Sequence, residues 1–295
     1  MLSRNKTKRP RIGLALSGGA ARGIAHIGVL RALVENEIPI DCIAGTSAGA
    51  LVGGTMASGM PISEMETIGR SIRWRDLGRI TMSRMGIQSN GRLEQYLRDR
   101  LPVTRFEELP IPFAAVATDL QSGKTVIMRD EGDLPFAIRA SCAIPGWYIP
   151  VTDGKGRQLV DGGLVANIPS NVARSLGAEL VIAVDVNAEG ATFLGPSLSI
   201  ISVLLQSMLL VQRTASFHQL EQADVVIKPR VGHIRWDEMS RASEFIAAGY
   251  DAATERMPEI KALIEAATKS VSKWYQLRGR KEIPPKTSSD VRELA

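Results

Sequence analysis

The most informative segment of the chain reads Ala44-Gly45-Thr46-Ser47-Ala48-Gly49-Ala50. Its pattern G-x-S-x-G lies between an apolar run at residues 40–44, which predicts a short buried strand, and a small apolar run at residues 50–57, which predicts an internal helix. A serine at such a strand-to-helix turn is held in a strained conformation, and flanking glycines remove side chains that would collide there. The pattern predicts Ser47 as a nucleophile and Gly45 and Gly49 as elbow glycines, unless the segment is an ordinary turn.

A second glycine-rich segment precedes it and reads Ser17-Gly18-Gly19-Ala20-Ala21-Arg22-Gly23. It lies between a predicted strand at residues 11–16 and a predicted helix at residues 24–37. The spacing of a dinucleotide fingerprint is missing, and Ile24-Ala25 stands where a P-loop requires Lys-Ser/Thr. Free backbone N–H groups beside a helix N-terminus suit an oxyanion, whereas a tight packing turn is the structural alternative. We favour the oxyanion site, because both segments would end on the same edge of one parallel sheet.

Composition and charge are those of an ordinary globular protein. The 295 residues are 44% hydrophobic and 23% charged, and this length allows one large domain or two small ones. The formal net charge of +5 fits an anionic membrane surface or nucleic acid, but it also occurs in proteins that bind neither. Only 5% of residues are aromatic, and they are not interleaved with basic residues as in RNA-binding sheets, so we expect no nucleic-acid partner.

The cysteines and the N-terminal segment indicate a cytoplasmic protein. Cys42 and Cys142 lie in apolar surroundings, which favours reduced core residues over a disulfide or a metal site. Residues 1–10 are basic and lack the apolar core of a secretory signal, so we expect a flexible basic arm. A further hypothesis is that this arm makes peripheral contact with anionic lipid at the inner face of the membrane.

The rest of the chain mixes predicted strands and helices. Strands are predicted at residues 113–118, 124–128, 180–186 and 223–228, with a hairpin at residues 151–160. Helices are predicted at residues 61–73, 91–101, 134–140, 169–176 and 238–267, the last interrupted near Pro258. Residues 180–186 are apolar on both faces, which predicts a central strand. Residues 270–295 are polar and predict a loosely held tail.

A hydroxyl nucleophile needs a base, and the sequence offers two kinds. A histidine after Asp161 would complete a Ser–Asp–His triad, for which His218 and His233 are the candidates, although the order of elements along the chain argues against that fold. Alternatively, Asp161 is itself the base, since Gly162 and Gly163 allow close approach and burial would raise its pKa toward neutrality. An Asx-turn at a strand end is the structural alternative for this aspartate.

Together these motifs resemble the patatin-like phospholipase family, and within it the small bacterial members. Residues 16–23 look like its glycine-rich oxyanion block, residues 45–49 like its elbow, and residues 161–163 like its catalytic Asp-Gly-Gly motif. They occur in the family's order, and residues 141–145 are similar to its Ser/Pro block. Ser17 departs from the pattern, because many members have a further glycine there, but the N–H donors that follow it are kept.

The resemblance implies a three-layer α/β/α fold with a central, mostly parallel sheet. It implies a single catalytic domain at residues 11–269, between the basic arm and the polar tail. It also implies a Ser–Asp dyad without histidine, in which Asp161 takes the proton of Ser47. The residues expected to form or support the oxyanion hole are Gly18, Gly19, Ala20, Arg22 and Gly23.

The resulting prediction is a serine lipid acyl hydrolase that cleaves carboxylic esters of phospholipids, lysophospholipids or related acyl esters. Acyl transfer to an alcohol is a variant at the same site, and a regulatory or acyl-chain-binding scaffold with weak or no turnover is the alternative of a different class. We expect a lipid or acyl-ester substrate and neither a metal nor an organic cofactor. Oligomeric state, headgroup and chain length stay open.

Two further segments bear on how a lipid would reach the site. Residues 70–92 carry six arginines, one acid and several apolar side chains, which favours a solvated mobile loop. The alternative is a basic and apolar flap that covers the site and meets anionic lipid.

Residues 190–212 contain no charged residue and are long enough for a membrane span, but Gly195, Pro196 and Gln206 argue against one. We expect a buried or interfacial helix that lines an acyl pocket.

Overall fold

Residues 9–189 and 200–279 are described by the structure, a computed structural model, and they form two β-sheets surrounded by helices. The strands are β1 (Ile12–Leu16), β2 (Cys42–Thr46), β3 (Arg79–Ile80), β4 (Gly86–Ser89), β5 (Phe113–Asp119), β6 (Thr125–Arg129), β7 (Gly146–Tyr148), β8 (Val151–Thr152), β9 (Gln158–Asp161), β10 (Leu180–Val184) and β11 (Val225–Ile227). The helices are α1 (Ala25–Glu35), α2 (Ala48–Ala57), α3 (Ile62–Ser71), α4 (Trp74–Leu77), α5 (Gly91–Arg98), α6 (Leu134–Ser141), α7 (Ser170–Ser175), α8 (Ile200–Leu220) and α9 (Ala242–Gly279).

The larger sheet has eight strands within these residues. Its order is β11-β10-β1-β2-β5-β9-β8, and β6 also pairs with β5. The five strands from β11 to β5 are parallel, because helical connections return the chain to the same end of the sheet after each strand. Strands β6, β8 and β9 join by antiparallel pairing. The predicted central position of residues 180–186 is confirmed, since β10 lies between β1 and β11.

Side chains along the parallel strands alternate between two apolar layers. On β1, Ile12 and Leu16 pack in the cluster that contains α1 and α9, whereas Ala15 packs in a second cluster with Val172 and Ala173 of α7. The side chains of these residues of β1 and α7 are all buried. Helices therefore cover both faces of the sheet, and the predicted three-layer α/β/α fold with a mostly parallel sheet is confirmed.

One edge of β5 brings distant parts of the chain together. Strand β2 pairs with the first part of this edge, where Thr46 lies opposite Val116. Strand β9 continues along it in the opposite direction, with Asp161 opposite Ala117, because β6 already occupies the other edge across the same residues. The carboxyl ends of β2 and β9 therefore meet head to head. The residue that follows β2 and the residue that ends β9 are Ser47 and Asp161.

The second sheet corrects the interpretation of residues 70–92. The sequence favours a mobile loop there, whereas the segment contains α4 and an antiparallel hairpin of β3 and β4, and β4 pairs in parallel with β7. The missing side chain of Gly86 permits this pairing, because a Cβ there would lie 2.7 Å from the backbone of Tyr148. The mobile-loop prediction is therefore wrong.

The C-terminal helix also differs from the prediction. Helix α9 runs without a break through Pro258 and extends to Gly279, ten residues into the predicted tail. Met257 and Ile260 on either side of the proline are buried in the core, and this packing offsets the backbone hydrogen bond that a proline removes. The prediction of a loose tail at residues 280–295 lies outside the described residues.

Two other predictions fall partly outside the described residues. Of the predicted arm, residues 1–8 are not described, while the Arg9 guanidinium pairs with the Asp41 carboxylate at 2.6 Å and so anchors the end of the arm. Of the predicted apolar helix, residues 190–199 are not described, and the remainder belongs to α8. That helix continues to Leu220, beyond the predicted segment.

Helices α1 and α9 cross with their backbones in contact. A Cβ on Gly28 would lie 1.9 Å from the carbonyl oxygen of Ile246, and a Cβ on Gly249 would lie 1.9 Å from the carbonyl oxygen of Ala25. No other residue type permits such an approach. This contact fixes α1, which begins directly after the glycine-rich segment, against the layer behind the sheet.

We expect Gly28→Ala to lower the free energy of unfolding by about 2 kcal/mol, because the new methyl group forces α1 and α9 apart and outweighs the better helix propensity of alanine. The matched control is Gly154→Ala in the β8–β9 turn, where a Cβ meets nothing within 4 Å. That variant is expected to stay within ~0.5 kcal/mol of the wild type. Urea denaturation followed by circular dichroism measures both, and equal stabilities would contradict the close crossing.

Candidate active site

Ser47 occupies the tight turn between β2 and α2. Its backbone has φ 54° and ψ −122°, a strained conformation for a residue with a side chain, and it forms the N-cap of α2. Its N–H donates to the Ser141 hydroxyl at 2.8 Å, and that hydroxyl donates in turn to the Val116 carbonyl at 2.6 Å. Ser141 at the end of α6 therefore ties the strained turn to β5.

The predicted elbow glycines act by allowing close backbone contact. A Cβ on Gly45 would lie 2.4 Å from the carbonyl oxygen of Gly49, and a Cβ on Gly49 would lie 2.1 Å from that of Leu16. Similarly, a Cβ on Gly23 would lie 2.3 Å from the Cβ of Ala48. These three glycines bring the elbow, the end of β1 and the glycine-rich segment into contact without lining the site themselves.

Asp161 ends β9 and is only 3% exposed. Its Oδ1 accepts the Gly163 N–H at 2.8 Å, so the structure contains both the predicted Asx-turn geometry and a buried carboxylate. Burial raises the pKa of Asp161 to about 6, against the opposing hydrogen bonds from the Ser47 hydroxyl and the Gly163 amide. The two side chains that the sequence selects line one cavity, and burial brings the pKa of the Asp161 carboxyl close to neutrality.

Gly162 and Gly163 allow the chain after Asp161 to pack closely against β5 and α8. A Cβ on Gly162 would lie 2.2 Å from the Val116 carbonyl oxygen, and a Cβ on Gly163 would lie 2.4 Å from Nε2 of Gln212. The 3-10 turn at Gly162–Leu164 begins here and exposes the Gly163 N–H to the carboxylate. Both glycines thus place Asp161 rather than contribute a side chain to the site.

The glycine-rich segment forms a 3-10 turn at Ala20–Ile24 next to Ser47. Its amides are not equally available. The Gly18 N–H donates to the Asn167 carbonyl at 3.2 Å, whereas no acceptor among residues 9–189 and 200–279 takes the N–H groups of Gly19 and Ala20. Ala20 has a φ of 50°, which turns its backbone out of the helical direction. The Gly18 amide is therefore engaged, and the amides of Gly19 and Ala20 are the ones left without an acceptor in the described part of the chain.

Arg22 supports this segment from behind, as the resemblance implies. The side chain is buried, and burial lowers its pKa against the opposing charge of Glu189. Its Nε donates to the Ile234 carbonyl at 3.0 Å, and Nη2 donates to the carbonyls of Ile234 at 2.9 Å and Gly232 at 3.3 Å. Arg22 therefore ties the glycine-rich turn to the loop before α9.

The three histidines are engaged elsewhere. His26 is buried with Nε2 2.9 Å from the Ser17 carbonyl oxygen, and burial lowers its pKa to about 4, so the ring is neutral. His218 is exposed beside Glu221, and Nε2 of His233 contacts the Glu244 carboxylate at 2.6 Å. Among the described residues that line the cavity at Ser47 there is no histidine. The triad alternative therefore gains no support from the geometry.

Ser47 and Asp161 lie in a cavity of about 120 Å³. One part of its wall is the inner face of α8, with Met208, Leu209 and Leu220, which agrees with the prediction of a helix that lines an apolar pocket. No cluster of three or more His, Cys, Asp or Glu residues suited to a metal ion occurs in the described part of the chain. Within the same residues, no helix combines the length and apolarity that a bilayer crossing needs.

Comparison with known proteins agrees with this geometry. The model of the family described as patatin-like phospholipase matches residues 14–174, which is more than half of the chain and includes both Ser47 and Asp161. The chain belongs to the patatin-like phospholipase family. An uncharacterized NTE family protein of Mycobacterium tuberculosis is 42% identical over 185 residues, 62% of this chain and 51% of that protein. Patatin-like phospholipase domain-containing protein 7 of Rattus norvegicus is 36% identical over 194 residues, 61% of this chain and 14% of that protein.

The fold of this patatin-like chain also occurs in a solved structure. VipD from Legionella pneumophila superposes with a TM-score of 0.50 at 14% sequence identity, over 85% of this chain and 67% of that chain. At this identity the likeness concerns the fold alone. The chain spans about half the length of the mycobacterial relative.

The sequence predicts the motif residues of the patatin-like candidate site better than the other residues that line its cavity. Six of the predicted residues line the cavity, namely Gly18, Gly19, Ala20, Arg22, Ser47 and Asp161. It misses Asn167, Asp185, Gln212 and Lys228, which line the same cavity. Asp185 could have been found, because it directly follows the central strand β10 at the edge where such sites form. The others carry no motif, since loops and helix packing bring them in.

The raised pKa of Asp161 makes stability depend on pH. The folded protein holds this proton with a pKa of about 6, against about 3.9 in an unfolded chain, so the ionised carboxylate destabilises the fold above pH 6. We expect Asp161→Asn to raise the free energy of unfolding by up to about 3 kcal/mol at pH 8, and by little at pH 4, where the folded carboxyl is protonated and the unfolded one is still about half protonated.

Urea denaturation at pH 4, 6 and 8 measures this difference, and Asp251→Asn on the exposed side of α9 is the matched control. A stabilisation that is the same at all three pH values would show that the carboxylate is not held at a cost in the folded state.

Proposed function

We propose that the protein is a serine lipid acyl hydrolase that cleaves carboxylic esters of phospholipids, lysophospholipids or related acyl esters with a Ser47–Asp161 dyad. The observation that carries the proposal is that one cavity holds both a strained serine and a buried aspartate whose pKa is about 6. A carboxylate with that pKa is largely ionised at neutral pH, yet it is basic enough to accept a proton during attack. Membership of the patatin-like phospholipase family supports the same reaction.

In the proposed reaction, Asp161 accepts the hydroxyl proton of Ser47 while Oγ attacks the ester carbonyl. The tetrahedral oxyanion is held by the free N–H groups of Gly19 and Ala20, each worth about 3 kcal/mol of barrier. Collapse breaks the ester bond, and the leaving alkoxide takes the proton from Asp161. Water then attacks the acyl-enzyme with the same base, which releases a carboxylic acid and restores Ser47. An alcohol in place of water would give acyl transfer.

The apolar part of the cavity supports an acyl-chain substrate. Met208, Leu209 and Leu220 of α8, together with Ile144 and Trp236, line the space next to Ser47. Side chains of this kind favour hydrocarbon over water by about 25 cal/mol for each Å² of surface that is buried. A scaffold protein that only binds acyl chains would use the same wall, and turnover distinguishes the two functions. We take residues 11–269 as the catalytic domain.

The hairpin of β3 and β4 supports a peripheral contact with an anionic membrane. Ile80, Met82 and Met85 are exposed there, and they alternate with Arg79 and Arg84. Apolar side chains flanked by cations suit the boundary between anionic headgroups and acyl chains. The hairpin is connected to the cavity through β7, because Trp147 of β7 contacts Trp236 edge-on at a ring distance of 6.0 Å. We propose that it docks at the inner face of the membrane, with a cytoplasmic location for the protein.

We expect Ser47→Ala and Asp161→Asn each to lower kcat/KM for p-nitrophenyl esters by at least about 10³-fold, because either change removes the nucleophile or its base. Fluorophosphonate labelling should be lost in Ser47→Ala. His233→Ala is the control and should keep kcat/KM within about twofold. Full activity in both dyad variants, or labelling of a different serine, would refute the dyad, and a loss in His233→Ala would restore the triad.

We expect the double variant Ile80→Ser/Met82→Ser to bind vesicles that contain phosphatidylglycerol about 10-fold more weakly than the wild type, because two apolar contacts are lost. Vesicle sedimentation measures this binding. Val34→Ser is the control, since Val34 is an exposed apolar residue near the C-terminal end of α1, outside the hairpin. Equal sedimentation of all three proteins would exclude the hairpin as the contact.

A further inference from the structure

One wall of the cavity carries a buried polar group that the proposed hydrolysis does not use. Gln212 on α8 lines the cavity and is 7% exposed. Its side-chain amide makes no hydrogen bond with any residue in 9–189 or 200–279. A Cβ on Gly163 would lie 2.4 Å from Nε2 of Gln212 and 3.0 Å from Oδ1 of Asp161, so this amide lies beside the proposed base. The amide faces the cavity, and a polar ligand there could take its free hydrogen-bonding capacity.

Besides Arg22, two further cations line the same cavity. Arg213 follows Gln212 on α8, and Lys228 follows β11. Both side chains are exposed, and neither forms an ion pair or a hydrogen bond within the described residues. An exposed cation without a partner keeps its capacity to bind an anion that enters the cavity.

The acidic side chains Asp185 and Glu189 near this wall already accept hydrogen bonds from backbone N–H groups. Asp185 is buried, its Oδ1 accepts the Asn187 N–H at 2.9 Å, and burial raises its pKa against the opposing charges of Lys228 and Arg213. Glu189 accepts the Gly232 N–H at 2.7 Å and faces the Arg22 guanidinium. The described residues that line the cavity carry three cations, Arg22, Arg213 and Lys228, against the two acids Asp161 and Asp185. The excess of positive charge favours a negatively charged group.

We propose that Gln212, Arg213 and Lys228 bind the phosphodiester of a glycerophospholipid whose ester lies at Ser47. This inference rests on the proposed function and narrows its substrate to phospholipids and lysophospholipids over neutral acylglycerols. A phosphodiester brings one negative charge and two free oxygens, which match two cations and one amide donor. In a glycerophospholipid this group shares the glycerol with the ester, so one molecule reaches both parts of a single cavity.

The test uses soluble short-chain substrates, which separate headgroup binding from attraction to a membrane surface. Dibutyroyl phosphatidylglycerol and dibutyroylglycerol carry the same acyl chains, and only the first has a phosphodiester. We expect Arg213→Gln/Lys228→Gln to lower kcat/KM on the anionic substrate by about 30-fold, mainly through KM, and to leave the neutral substrate within about twofold. Gln212→Leu should shift the same ratio by about fivefold. Added salt should reduce the wild-type preference but not that of the double variant.

The matched control is Arg256→Gln/Lys261→Gln, which removes the same two charges from exposed positions of α9. Neighbouring Ile260 packs at the amino ends of β1 and β10, so this pair lies at the far edge of the sheet. An unchanged ratio in Arg213→Gln/Lys228→Gln, or the same ratio shift in the α9 control, would overturn the phosphodiester site. An equal loss on both substrates would assign the two cations a structural role and overturn it as well.

A binding measurement separates this inference from the proposed function. In the Ser47→Ala background, the change in tryptophan fluorescence on addition of dihexanoyl phosphatidylglycerol reports binding without turnover, since Trp236 lines the cavity. Loss of this binding in Arg213→Gln/Lys228→Gln supports the phosphodiester site, whether or not the wild type hydrolyses either substrate. If the wild type hydrolyses neither substrate, only the proposed hydrolase is refuted. Hydrolysis of both substrates with unaltered binding would refute only the phosphodiester site.

Discussion

The head-to-head meeting of β2 and β9 on one edge of β5 is the constraint on which the site depends. Thr46 and Asp161 pair with consecutive residues of β5, so the sheet itself fixes how close the following serine comes to the aspartate. Hydrogen bonds between strands leave little freedom at this position. Strand β1 pairs in parallel with β2, so its carboxyl end and the glycine-rich turn that follows lie at the same end of the sheet, which brings backbone donors to the same place.

This arrangement destabilises the protein locally, and the layers around it compensate. Ser47 has a positive φ, and Asp161 is an acid whose ionised form is poorly solvated. Ser141 stabilises the strained turn through two short hydrogen bonds, and the glycines let the surrounding backbones pack without gaps. The crossing of α1 and α9 and the two apolar layers supply the remaining stability, so a strained and charged centre persists inside an ordinary core.

Much of the fold and of the candidate site could be predicted because these features are local in sequence. Short apolar runs predicted the strands, and glycine spacing predicted both turns, since only glycine tolerates the contacts made at Gly45 and Gly49. The errors have physical causes as well. The arginine-rich hairpin pairs with a strand far along the chain, and α9 continues through Pro258 because buried neighbours hold it. Neither interaction leaves a mark on the local pattern.

The sequence alone thus determined the chemical groups: the serine, the aspartate, the glycine-rich turn and the layered α/β architecture, all encoded by residue type and short spacing. Only the tertiary structure decided which groups are free to act. It assigned the Gly18 amide to Asn167, engaged the histidines elsewhere, raised the pKa of Asp161, and put Gln212 into the cavity wall. The reason is that burial, hydrogen-bond competition and cavity shape arise from contacts between distant segments, which no single stretch of sequence specifies.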